Sequence, residues 1–189
     1  IESLLDIGSG TGRVVAYVKE KRPRMKIVGV EPVEALREIG YAQGISRQEL
    51  IEGDALKLPF KNGEFDMVCE FGMLHHVRQP EVVVAEMLRV AKKAIYIADA
   101  NNFGQGSFAA RSVKQLLNSV GLWKAADLIK TKGKGYTISD GDGLAYSYSV
   151  FNNYKQIEKE CTRIALLNTA EGRINLYRTA PHVVLLGIK

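Results

Sequence analysis

The stretch LLDIGSGTG, from Leu4 to Gly12, constrains this chain more than any other nine residues. Leu4, Leu5 and Ile7 make a short apolar run of the kind that becomes a fully buried parallel strand. Three glycines in five positions then break the run, and Val14, Val15 and Val18 with Tyr17 resume at helical spacing. Gly8, Gly10 and Gly12 allow left-handed dihedrals and carry no Cβ. A ligand can therefore lie against bare backbone at the start of a helix whose amides point outward. A strand, a glycine turn and a helix in this order predict a cofactor site at a sheet edge.

The same unit recurs along the first hundred residues. The polar run KEKRPR ends the first helix at Pro23, and a second strand over Ile27 to Val30 stops at Glu31 and Pro32. A helix from about Val33 to Gly40 carries Ala35, Leu36 and Ile39 on one side. LIEGDA, Leu50 to Ala55, reads as a third strand ending in Asp54. Phe65 to Phe71 follows the turn signal KNGE as a fourth, and AIYIADA is a fifth ending at Asp99. Between those two, PEVVVAEMLRVAKK begins a helix with proline in its first turn. Alternation at this spacing predicts an α/β fold with a parallel sheet covered on both faces, whose ligands bind outside the carboxyl ends of the strands. Those ends carry Asp6, Glu31, Asp54, Glu70 and Asp99, a row of acids along one edge.

The second half starts with the polar, glycine-rich joint NNFGQGS. Val113, Leu116, Leu117 and Val120, then Leu122, Ala125, Ala126 and Ile129, predict a helical hairpin inserted after the fifth strand. Thr131 to Gly143 has little periodicity and is expected to be a surface loop. A short helix over NYKQIEKEC precedes strands at Arg163 to Leu167 and HVVLLGI, which would close the sheet as an antiparallel pair. The expectation is one domain over 1–189, with 104–150 as an inserted hairpin and loop that could cover a substrate. Because the chain opens on Ile1 and enters a core strand within three residues, a preceding helix is expected to be missing.

Composition bears on partners. With 46% hydrophobic and 25% charged residues the chain has the make-up of an ordinary globular domain. No stretch approaches about 18 apolar residues and no signal peptide is visible, so neither membrane insertion nor export is expected. Cys69 and Cys161 lack metal-ligand spacing and read as reduced thiols of a cytoplasmic protein. Residues 1–100 carry a net charge of −1 and residues 101–189 one of +6, which suits an anionic substrate. Asp140 and Asp142 resemble the start of a calcium loop, but Leu144, Ala145 and Phe151 occupy positions where that loop needs an oxygen ligand, a glycine and a glutamate. No metal is expected.

Two cofactors compete for the glycine turn. A dinucleotide fingerprint needs a third glycine three positions after the second, where this chain has Arg13. The glycines instead alternate, and Asp6 stands ahead of them, a carboxylate better suited to a ligand with an ammonium group than to a pyrophosphate. An S-adenosyl cofactor is favoured.

LDIGSGTG, GVEP, GDALKLPF, FDMVCEFGMLHHV and the closing VVLLGIK together resemble the class I S-adenosylmethionine-dependent methyltransferases, in particular their small-molecule type with a histidine pair after the fourth strand. The resemblance covers about residues 1–100 and the terminal strands. It implies a Rossmann-like doubly wound sheet of seven strands, mostly parallel with the last antiparallel. It also implies S-adenosylmethionine as cofactor, leaving as S-adenosylhomocysteine. Asp6, Gly8, Ser9, Gly10 and Gly12 would hold its methionine moiety, Glu31 with Pro32 its ribose hydroxyls, and Asp54 with Ala55 its adenine. Glu70, Phe71, Gly72 and His75 would line the path to the acceptor.

Methyl transfer from a sulfonium is an in-line displacement that asks chiefly for alignment and exclusion of water. A hydroxyl acceptor also needs a base, for which the candidates are His75, His76, Asp99 and Asp140. The histidine pair could equally be a packing and capping feature. The acidic-aromatic tetrapeptide of amide and amino-purine methylases is replaced here by EFGM, which favours an oxygen or carbon acceptor on a small molecule or glycan. Lys130, Lys132, Lys134, Tyr136, Tyr146 and Tyr148 could hold an anionic or ring-bearing substrate. The other readings are an RNA or protein methyltransferase, drawing on the basic second half, and a dinucleotide oxidoreductase or non-catalytic cofactor binder. Oligomeric state is left open.

Overall fold

A computed structural model describes residues 1–169 and 175–189. Seven strands form one sheet in the order β3-β2-β1-β4-β5-β9-β8. Strands β1 (Ser3–Ile7), β2 (Lys26–Val30), β3 (Leu50–Ile51), β4 (Phe65–Phe71) and β5 (Ala91–Ala100) run parallel. The closing strand β9 (His182–Ile188) is antiparallel to β5, and β8 (Arg163–Asn168) is antiparallel to β9. This is the Rossmann-like doubly wound sheet with its antiparallel last strand.

The apolar runs explain the layering. Side chains alternate across a strand, so Leu5 and Ile7 face one side of β1 and Leu4 the other. Leu5 and Ile7 join Val68, Ile95 and Ile97 in a core closed by Val83, Val84 and Met87 of α3 (Pro80–Val90) and Ile157 of α6 (Tyr154–Glu160). Leu4, Ile27, Leu50 and Cys69 meet Val15 of α1 (Arg13–Lys21) in a second, smaller core on the opposite face. Each such aliphatic side chain contributes about 1.5 to 3 kcal/mol when fully buried. The reversal of strand order between β1 and β4 opens a crevice at the carboxyl edge, where ligands of such sheets bind.

Three expectations need correction. The third strand is only two residues long, and Asp54 sits beyond it in a turn, its Oδ1 accepting from the Leu56 amide at 2.8 Å. In α2 (Glu34–Ala42) the buried positions are Arg37 and Gly40, while Ala35 and Ile39 face solvent. Arg37 turns inward because its guanidinium has carbonyls to satisfy, and Gly40 because it packs closely on Leu50. The stretch Thr131 to Gly143 is not all loop: β6 (Tyr136–Ser139) pairs with β7 (Gly143–Tyr146) as a separate antiparallel hairpin. Its strands carry too few apolar positions for a period-2 signal to show in sequence. The predicted helical hairpin is present as α4 (Phe108–Ser119) and α5 (Trp123–Lys130), but α4 buries no residue, and Val113, Leu116 and Val120 are exposed. Helical period alone does not say whether a partner surface exists.

Candidate functional site

The glycine turn is fixed from β2. The Gly8 and Ser9 amides donate to the Val30 carbonyl at 2.9 and 3.1 Å. Glu31, nearly fully buried, accepts from the Gly10 amide through Oε2 at 2.8 Å and from the Val33 amide through Oε1 at 2.9 Å. Arg37 braces the same bend, donating to the carbonyls of Glu31 and Pro32 at 2.7 and 2.8 Å. Each carboxylate oxygen of Glu31 thus spends one lone pair on the backbone and keeps one for a ligand. Gly10 has φ +55°, and a Cβ built there would meet no atom within 4 Å, so open space lies in front of it. At Gly8 (φ +66°) a Cβ would fall 2.4 Å from Met73 Cγ, which seats the turn after β4 directly on the glycine turn.

Asp6 lies beneath this turn rather than open to it. Its Oδ2 accepts from the Ser9 hydroxyl at 2.7 Å and its Oδ1 lies 3.7 Å from the Cys69 thiol. Burial pushes its pKa up to about 7, partly offset by those two hydrogen bonds, with the Glu31 charge adding to the rise. The remaining strand-end residues divide by exposure. Asp54 and Phe71 are exposed, the Phe71 ring lying 5.3 Å from that of Tyr96, whereas Glu70 is 0% exposed. Ala55 packs against the core, and Gly72 donates its amide to the Ala98 carbonyl at 2.9 Å.

Glu70 and Asp99 are buried side by side. Oε2 of Glu70 accepts from the Met73 amide at 3.0 Å. Burial first, and the Asp99 charge next, hold Glu70 well above the usual carboxylate range. Protonated, its hydroxyl has the Asp99 carboxylate to donate to, which accounts for a buried Oε1 that otherwise lacks a partner. A carboxyl whose folded pKa is raised binds a proton that the unfolded chain releases above about 4.3, so it makes stability fall as pH rises. Glu70→Gln keeps a donor toward Asp99 and removes the titration. Its melting temperature is expected to exceed that of the wild type at about pH 8 and to converge on it near pH 4. Parallel wild-type and variant curves across that range would refute the protonated state.

All three histidines of the chain gather at this edge. His75 and His76 lie on a single 3-10 turn, Leu74–His76, with ring centroids 4.0 Å apart. His75 Nδ1 donates to Asp99 Oδ1 at 2.6 Å, and Asp99 Oδ2 accepts from the Leu74 and His75 amides at 2.8 and 3.3 Å. The hydrogen bond to Asp99 raises the His75 pKa above its ordinary value, opposed by partial burial. His76 Nδ1 donates to the Leu144 carbonyl of β7 at 2.6 Å. His182 opens β9 opposite Ala100, and partial burial lowers its pKa.

A cavity of about 380 Å³ separates this edge from the β6–β7 hairpin and the end of α5. His75, His182, Lys130, Tyr136, Asp142, Tyr146 and Tyr148 are among the residues lining it. Four of the six predicted substrate residues therefore meet at one cavity, with Tyr148 buried and donating its hydroxyl to Asn153 Oδ1 at 2.9 Å. Lys132 and Lys134 are exposed and line neither this cavity nor the neighbouring one of about 620 Å³ against Trp123. Asp140 sits exposed in the hairpin turn, and it is Asp142 that faces the histidines.

Sequence reasoning missed Asp142, His182 and Asn101. The last is fully buried at the end of β5, where Nδ2 donates to the carbonyls of Leu176, Tyr177 and Ala180 and Oδ1 accepts from the Ser149 hydroxyl. Its position two residues after the strand-end acid Asp99 was the available signal.

Residues 5–98 match the family model described as a methyltransferase domain. Norajmaline N-methyltransferase of Rauvolfia serpentina is 36% identical over 98 residues, which are 48% of this chain and 32% of that one. Demethylmenaquinone methyltransferase of Deinococcus radiodurans is 35% identical over 91 residues, 46% of this chain and 37% of that one. The match thus spans about a third of the length of these curated relatives. Over 99% of its length the chain superposes on 92% of a SAM-dependent methyltransferase from Methanosarcina mazei, with TM-score 0.66 and 16% identity, a likeness of fold. Among the described residues no helix is long and apolar enough to cross a membrane.

Proposed function

We propose, from the premise that the chain belongs through residues 5–98 to the S-adenosylmethionine-dependent methyltransferase family, that it transfers a methyl group to an oxygen or carbon of a small molecule held in the 380 Å³ cavity. The observation that carries this reading is the contact of Gly8 with Met73. It seats the turn that leads to His75 against the glycine turn, with open space in front of Gly10.

The residues present fit the cofactor. Gly10 leaves room at a helix start, and Glu31 keeps two lone pairs on a carboxylate already aimed by the Gly10 and Val33 amides. Glu31 would take the ribose hydroxyls, with Pro32 beside it. Gly8, Ser9, Gly10 and Gly12 would hold the methionine portion over Asp6, and Asp54 and Ala55 the adenine. S-adenosylmethionine, when bound, supplies an electrophilic methyl carbon on a sulfonium.

Proton handling falls to this chain's own side chains. His75 Nε2 takes the proton of a hydroxyl acceptor. The resulting imidazolium is stabilised by Asp99, which accepts from Nδ1, and burial beside Asp99 holds the Glu70 carboxyl well above the usual carboxylate range. Tyr136 and Tyr146 would shield the acceptor from water, and Lys130 gives the cavity a positive rim that suits an anionic acceptor. Relatives named for norajmaline and for demethylmenaquinone support a small-molecule acceptor.

Glu31→Ala is expected to weaken S-adenosylmethionine binding by about 1 to 3 kcal/mol, since it removes the acceptor and frees the Gly10 amide from its partner. Calorimetry on wild type and variant checks this, and an unchanged affinity would reject the ribose role. NADH titrated in parallel is expected not to bind.

A further inference from the structure

We propose that His75, His76 and Asp142 form a binding site for a zinc-class divalent ion that clasps the β6–β7 hairpin to the carboxyl edge of the sheet. Two neutral imidazoles and a carboxylate are a donor set for late first-row metals, and too rich in nitrogen for calcium. The tautomers are already set for it. A carboxylate and a backbone carbonyl can only accept, so the contacts of His75 Nδ1 with Asp99 Oδ1 and of His76 Nδ1 with Leu144 O, both 2.6 Å, place the ring proton on Nδ1 in each histidine. Both Nε2 atoms are left with a lone pair. Ligating histidines are held in this manner, by a carboxylate or carbonyl on the far ring nitrogen.

The two lone pairs converge on one carboxylate. Asp142 Oδ2 lies 3.5 Å from His75 Nε2 and Oδ1 lies 3.7 Å from His76 Nε2. One ligand atom from each of the three residues lies within 4.8 Å of the others. Zinc bonds of about 2.0 to 2.1 Å in tetrahedral array need ligand atoms roughly 3.3 Å apart, so the two Asp142 contacts close by a few tenths of an ångström and the widest ligand pair by at most about 1.5 Å. At these separations neither imidazole makes a good hydrogen bond to Asp142. An ion supplies what the three groups lack. Asp142 belongs to the hairpin turn and is 59% exposed, so a fourth position stays open toward the cavity that the hairpin covers.

The experiment uses the full chain, stripped with a chelator, then titrated with Zn²⁺ against a chromophoric competitor and with Co²⁺ followed by its visible absorption. One equivalent is expected to bind the wild type. His76→Ala and Asp142→Asn should each weaken binding by about tenfold or more, with His182→Ala unchanged. Zn²⁺ should also slow tryptic cleavage after Lys132 and Lys134 in the wild type but not in Asp142→Asn. Absence of saturable binding, or equal binding by His76→Ala and Asp142→Asn, would overturn the site; binding without protection would overturn the clasp. An ion on His75 Nε2 occupies the atom that the proposed proton transfer uses, so the metal-bound form is an inactive one; because the titration needs no methyl donor or acceptor, its failure is distinct from a failure of the proton-transfer reading.

Discussion

Replacing His75 with glutamine is expected to lower kcat for a hydroxyl acceptor by about two to four orders of magnitude, with cofactor affinity preserved. Glutamine keeps a hydrogen-bonding side chain near Asp99 but has no nitrogen that takes up a proton at neutral pH. The pH profile carries a second, independent sign. His75 must be neutral to accept a proton, and the Asp99 hydrogen bond raises its pKa, so the acidic limb of kcat/KM should lie above the ordinary histidine value of about 6.5. In Asp99→Asn the support for the imidazolium is gone. The limb should then move to lower pH while the rate falls. Assays are run with a chelator present, so that no metal competes for Nε2. An undiminished rate in His75→Gln would remove the base from the mechanism and point to an acceptor whose nucleophile has no proton to lose.

The second large effect concerns Gly10. Valine at that position would place a branched side chain in the open space before the turn, at φ +55°, where a β-branched residue is strained by about 1 to 2 kcal/mol. A domain with some 5 to 15 kcal/mol of stability tolerates that strain. Cofactor binding should not survive. More than a hundredfold loss in affinity, about 2.7 kcal/mol or more, is expected by calorimetry on protein that still melts cooperatively. Wild-type affinity in folded Gly10→Val would place the cofactor elsewhere on the sheet edge.

Much of this was legible from residues alone because it is local. The extent of β4, Phe65–Phe71, follows from a turn signal and an apolar run, and the proline start of α3 from a single residue. Glu31 was visible as the acid that ends the second strand. Its bond to the Gly10 amide was not, because it joins positions 21 residues apart through the pairing of β1 with β2. The hairpin of β6 and β7 was read as loop, and Asp140 was preferred to Asp142 for the same reason. Nothing within those eleven residues tells which acid will meet a histidine more than sixty positions earlier.

The sequence by itself determined the class of fold, the glycine turn and the row of strand-end acids. Strand and helix periods, turn glycines and strand-terminal residues are written within a few consecutive positions. Tertiary structure alone decided which of those acids are solvent-facing and which are buried, and it set Glu70, Asp99 and His75 side by side. It also brought Asp142 to the histidines. Burial and the approach of distant charges depend on how the whole sheet closes, and those two quantities set what a carboxylate or an imidazole can do.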